Sequence, residues 1–129
     1  MRVTTGVDII EVERIKKAID EMQEQFLNRI YTEKEIQYCK KANAMQYQHF
    51  AARFAAKEAI FKALSSDISS REDILWKQIE IINEVGGRPK VNVDKLKEYG
   101  LKHLQSVDIS LSHLKEYAVA SAVAVFSDN

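Results

Sequence analysis

The sequence predicts an α+β fold in which an antiparallel sheet packs against one long central helix. Three observations lead there. Phe50 to Leu64, reading F-A-A-R-F-A-A-K-E-A-I-F-K-A-L, is a helix-forming run that is apolar nearly all the way round, which is how a buried helix reads. Val3 to Ile10, near one end of the chain, and Tyr117 to Phe126, near the other, carry the β-branched and alternating residues of strands. Between them, Gly86-Gly87-Arg88-Pro89 parts two short alternating runs, a hairpin signal.

Taken in order, Val3 to Ile10 reads as a buried strand that delivers Asp8 near its C-terminal end. Glu11 to Met22 then switches to helical spacing through Val12, Ile15, Ile19 and Met22. Thr32 and Glu35 form a capping-box pattern, so a helix is predicted from Glu33 towards Lys41. The long helix runs from about Met45 to Leu64. Ser65-Ser66-Asp67-Ile68-Ser69-Ser70 is a polar loop, and Gln78 to Glu84 and Lys90 to Val93 are the hairpin strands. Asp94 to Gly100 is a weak helix capped by Asp94 and stopped by glycine. Val107 to Ser112 and Tyr117 to Phe126 close the chain as strands joined by His113 to Glu116. No repeat, linker or low-complexity tract interrupts the 129 residues, a length that suits one domain spanning 1–129.

Composition excludes several classes. With 19 basic and 19 acidic residues the net charge is zero, whereas a general nucleic-acid binder carries a basic excess or stripe. Cys39 is the single cysteine, so no internal disulfide forms and the fold does not depend on an oxidising compartment. The start of the chain lacks a charged-then-apolar signal pattern, and Ala118 to Phe126, its longest apolar run, falls far short of the roughly 20 residues of a membrane span. A cytoplasmic protein is expected.

The central helix carries Arg53, Lys57, Glu58 and Lys62 on an otherwise packed surface. Glu58 and Lys62 are four apart and share a stripe with Ala51 and Ala55, while Arg53 and Lys57 form a second, basic stripe. A carboxylate flanked by cations suits a place where a metal ion and phosphate oxygens are neutralised together. The competing interpretation is an amphipathic helix whose long stems reach the surface while Glu58 pairs with Lys62. Asp8 at a strand end and His113 where a strand meets a turn are suited to the same site. Each is by itself as well explained as a turn former or a structural histidine.

In chain order, G-V-D-I-I-E-V-E-R-I, R-F-A-A-K-E-A-I-F-K-A-L, G-G-R-P-K-V and I-S-L-S-H-L-K-E-Y-A-V-A-S-A-V resemble the holo-acyl-carrier-protein synthase family of 4′-phosphopantetheinyl transferases, in its short, stand-alone branch. The resemblance spans essentially the whole chain. It implies a phosphopantetheinyl-transferase-like α+β fold and transfer of the phosphopantetheine arm of coenzyme A to a serine of an apo acyl carrier protein. It also implies Mg²⁺, release of adenosine 3′,5′-bisphosphate, and a homotrimer with sites between subunits. Carried over by position, Asp8 and Glu58 become the metal-binding carboxylates, and Asp8, Glu58 and Lys62 the catalytic group. Arg53, Lys57, Lys62 and His113 face coenzyme A phosphates, with Pro89 lining the nucleotide end, and Arg14 and Lys17 dock the carrier protein. One departure concerns Ser65-Ser66-Asp67, which stands where the family has a glycine-containing loop. Asp67 there adds negative charge near a polyanion, which motivates an alternative reading, a relative that binds carrier protein or coenzyme A without transfer.

Overall fold

The computed structural model describes residues 1–68, 73–98 and 100–128, with backbone alone at 73–75. Strand β1 (Arg2–Glu11) leads into helix α1 (Val12–Met22), followed by α2 (Glu24–Ile30) and α3 (Glu33–Lys40). A short 3-10 turn (Asn43–Met45) opens the long α4 (Gln46–Leu64), which ends in a second 3-10 turn (Ser65–Asp67). Then come α5 (Asp73–Gln78), the hairpin β2 (Ile81–Asn83) and β3 (Pro89–Val91), α6 (Val93–Glu98), and the strands β4 (Leu104–His113) and β5 (Tyr117–Phe126).

β1, β5 and β4 form an antiparallel sheet in that order, with β5 in the middle. Asp8 lies opposite Ala120 and His113 opposite Ala118. α4 packs across one face of this sheet. The sequence permits close approach there, because β5 turns Ala118, Ala120, Ala122 and Ala124 inward and α4 answers with Ala55, Ala56, Ala59 and Ala63. Gly6 of β1 completes the contact. A Cβ at Gly6 would overlap the Ala59 carbonyl oxygen and come within 2.9 Å of the Ala63 nitrogen, so backbone packs on backbone and only glycine fits. Phe50, Ile60 and Leu64 are fully buried around this seam.

The strands of the sheet, the long helix, the capped α3 and the hairpin match the sequence reading, except that β1, read as a buried strand, leaves Val3, Val7 and Ile9 exposed. Thr32 and Glu35 make both hydrogen bonds of the capping box. Two helices were not expected. α2 is separated from α1 only by Gln23, whose φ of 49° and N–H bond to Ile19 O end the first helix without a glycine. α5 occupies residues to which the sequence reading gave no element, together with Gln78 of the expected strand, and β2 begins at Ile81 rather than Gln78. The reason lies in the buried charges: the Ile79 carbonyl is taken by Lys57 and the Ile81 amide by Glu35. β4 starts three residues earlier than expected, at Leu104. Ser69 and Ser70 of the expected polar loop, and Tyr99 of the expected Asp94–Gly100 helix, lie outside the described residues.

Candidate active site

Lys57 corrects the sequence reading. Its side chain is fully buried, and its ammonium lies 2.9 Å from Glu35 and donates to Trp76 O at 2.7 Å and Ile79 O at 2.6 Å. All three protons of the ammonium are thus taken inside the protein, and Lys57 does not reach a phosphate. Burial pulls it below the usual lysine range, with Glu35 opposing that shift. Glu35, read in the sequence only as a cap, is also the counter-ion of this lysine.

Lys62 behaves oppositely. Its side chain is half exposed, and Nζ donates to Val7 O at 2.9 Å and to Asp8 Oδ1 at 3.2 Å. It lines a cavity of about 480 Å³ with Thr5, Gly6, Val7, Ser121, Ala122 and Val123. Asp8 is mostly buried, at 16% exposure, and Glu58 is half-buried on α4 with its Oε1 out of reach of solvent. β1 and α4, which pack on each other, therefore contribute one carboxylate each, and the half-exposed ammonium of Lys62 is bonded to the one from β1. Among the described residues no three of His, Cys, Asp and Glu gather to hold a metal. A metal here would rest on Asp8 and Glu58, carboxylates of the hard-oxygen kind that Mg²⁺ takes while keeping waters and substrate phosphates.

A second group forms around the other half of α4. Arg53, read as forming a basic stripe with Lys57, is only 3% exposed. Its guanidinium stacks 4.2 Å from the Tyr38 ring and donates to Asn83 Oδ1 at 2.5 Å. Asn83 in turn donates to Gly87 O and lies opposite Pro89 in the hairpin. Arg53 nonetheless borders a cavity of about 330 Å³ with Lys34, Tyr38, Ile81, Ile82 and Asn83; Pro89, opposite Asn83 in the hairpin, is not among its lining residues. Tyr38 meets His49 edge-on at 5.6 Å, His49 meets His113 at 5.3 Å, and His113 Nδ1 is bonded to Gln48 Oε1 at 2.8 Å. Burial, reinforced by His113 and Arg53, lowers the His49 pKa. Burial also pushes the Cys39 thiol up to about 12, with the neighbouring guanidinium of Arg53 opposing, so Cys39 is an inert core thiol.

The two groups are not one cluster within a single chain. Asp8 and His113 sit on the outer strands, two interstrand spacings of about 4.8 Å apart and offset by two residues of register. No single phosphate touches both. Arg14 and Lys17 are exposed together on α1, three apart on one face. Asp67, expected to face a polyanion, is instead held by Arg2 at 2.8 Å and 3.0 Å. Arg2 also donates to Ser66 and lies 4.2 Å over the Phe126 ring. Tyr38, Gln48, His49 and Asn83 were absent from the sequence reading. The spacing of His49 and Arg53, four apart on the predicted helix, is the signal that was present for one of them.

Residues 4–122 match the 4′-phosphopantetheinyl transferase superfamily, and the chain belongs to that family. It is 41% identical over 131 residues to the holo-acyl-carrier-protein synthase of Ruminiclostridium cellulolyticum, covering 100% of this chain and 96% of that protein. Among solved structures, it resembles a holo-acyl-carrier-protein synthase of Bacillus anthracis in complex with coenzyme A (3′,5′-ADP), with TM-score 0.73, 33% identity and 96% of each chain covered. It also resembles that of Helicobacter pylori in complex with coenzyme A, with TM-score 0.75, 28% identity and 94% and 99% coverage.

Proposed function

We propose that this chain, as one transferase domain, moves the 4′-phosphopantetheine group of coenzyme A onto a serine of an apo acyl carrier protein, with Mg²⁺ and as a homotrimer. The transferase assignment follows from family membership along nearly the whole chain and from full-length relatives that carry this activity in their names. The observation that carries the site is the junction of β1 and α4, where half-exposed Lys62 meets Asp8 at 3.2 Å, with Glu58 one turn before Lys62 on the same helix.

Each residue there has a physical task. Lys62 is tied to Asp8 by a surface pair of the weak kind, so its ammonium is able to exchange the carboxylate for a phosphate oxygen. Glu58 is the carboxylate placed to orient the attacking serine or to receive its proton. Asp8 and Glu58 would hold Mg²⁺, which would supply charge neutralisation at the pyrophosphate when bound. Positioning and electrostatics then supply the catalysis. Arg53, the Pro89 turn and His113 bind the nucleotide end, and Arg14 and Lys17 meet the acidic carrier.

The homotrimer draws support from an inverted pattern in the sheet. β5 buries its alanines and exposes Tyr117 (47%), Val119 (36%) and Val123 (40%), while β1 exposes Val3 (55%), Val7 (60%) and Ile9 (65%). Larger apolar side chains thus face outward and the smallest inward, which suits a sheet face covered by another subunit. Association also offers a way to join the Asp8–Glu58 group of one subunit to the His113 or Pro89 group of another.

The reading of a binder without transfer rests on the charge of Asp67, and Arg2 offsets that charge. Incubation with coenzyme A, Mg²⁺ and an apo carrier protein should release adenosine 3′,5′-bisphosphate, read by chromatography. Coenzyme A bound but left intact would favour the binder instead.

A further inference from the structure

Gln48 and His113 are joined side chain to side chain across the seam between α4 and β4. His113 Nδ1 lies 2.8 Å from Gln48 Oε1, and both residues are half-buried. An amide oxygen only accepts hydrogen bonds, so Nδ1 must carry a hydrogen whether the ring is neutral or cationic. In the neutral ring this leaves the lone pair on Nε2. We propose that Gln48 is a positioning residue for His113: it holds the Nδ1–H tautomer, so that His113 meets a coenzyme A phosphate only by taking a proton from solvent at Nε2.

The argument rests on the assignment of His113 to coenzyme A phosphates. A neutral Nδ1–H ring presents an acceptor to a phosphate, which is itself an acceptor, and two acceptors repel. Once Nε2 is protonated, both N–H groups have partners, Gln48 on one side and the phosphate on the other, in charge-assisted bonds. The surroundings allow this. His49 is the titratable group against His113, with ring centroids 5.3 Å apart, and burial, followed by His113 and Arg53, lowers its pKa. Arg53 lies beyond His49, stacked on Tyr38 of α3, and Lys115 and Glu116 follow on the turn after β4. Ligand binding is therefore coupled to uptake of a proton at Nε2.

Long-range proton–nitrogen NMR of the ¹⁵N-labelled full chain, at a pH where the ring is neutral, reads the tautomer directly. The wild type and Gln48→Glu, whose carboxylate also accepts from Nδ1–H, should show the Nδ1–H form, and Gln48→Leu should shift to Nε2–H. Calorimetry with coenzyme A in two buffers of different ionisation enthalpy should show proton uptake in the first two and its loss in Gln48→Leu. An Nε2–H ring in the wild type, or a tautomer unchanged in Gln48→Leu, would overturn the proposal. Equal proton uptake in wild type and Gln48→Leu would overturn its ligand half. Absence of coenzyme A binding to the wild type would remove the functional reading and the proton uptake with it, while the nitrogen shifts still judge the tautomer.

Discussion

Lys57 and Lys62 stand five residues apart on one helix, and their fates are opposite. A helix that is apolar all round has no polar face to mark its exposed side, so helical spacing did not tell which lysine is accessible, and the family resemblance implied both as phosphate ligands. The tertiary partners decided: Glu35 from a capping box and two carbonyls at the end of α5 enclose Lys57, while Lys62 meets Asp8 at the open edge. Lys57→Met strands the Glu35 carboxylate, a change that costs about 3–5 kcal/mol when one partner of a buried pair is removed. Chemical denaturation should show that loss, with coenzyme A affinity near wild type below the unfolding transition. Lys57→Met combined with Glu35→Gln should recover part of the stability. Asp8→Ala and Glu58→Ala should each abolish transfer with the circular dichroism spectrum unchanged, and near-normal rates in either would remove the metal assignment. Lys62→Ala should instead raise the coenzyme A Michaelis constant, by the roughly 1.5–3 kcal/mol of a hydrogen bond to a charged group.

At the scale of elements, the contact of β1 with α4 organises the site. Gly6 stands in the first motif of the sequence, and its reason became visible only when α4 was seen to press its backbone against that position. Sequence pattern announces a strand and a helix, but not that their main chains touch. Gly6→Ala should therefore destabilise the protein by about 3 kcal/mol, the upper end of ordinary overpacking, measurable as a lowered midpoint in urea. The same strand holds the far end of the helix, where Thr4 Oγ1 donates to Ala63 O at 2.5 Å and Arg2 clamps Asp67. Charge opposite in sign and distant in sequence is invisible to a local reading, which is why Asp67 looked unpaired. Arg2→Ala should cost about 1 kcal/mol or less in stability, as an exposed pair does, yet weaken coenzyme A binding by uncovering Asp67. Arg2→Ala with Asp67→Asn should restore the affinity, and a failure to restore it would place the turn away from the nucleotide.

For the whole molecule, the three sheet strands, the long helix and the hairpin were legible from the sequence while α2 and α5 were not, and β5 read as a strand because a period of two survives in a run of alanine and valine. Which face turns outward was not legible, since both faces are apolar. Only the packing of the alanines on α4 shows that the valines are left exposed. Val119→Glu should break the assembly to monomers in sedimentation and lose transfer while keeping its secondary structure, and a wild type that sediments as an active monomer would remove the homotrimer. The account as a whole stands on the reaction. Intact mass spectrometry of an apo acyl carrier protein, incubated with this protein, coenzyme A and Mg²⁺, should show the carrier heavier by one phosphopantetheine group. The gain should be lost when the carrier's acceptor serine is replaced by alanine. A carrier of unchanged mass, under conditions where coenzyme A demonstrably binds, would contradict it.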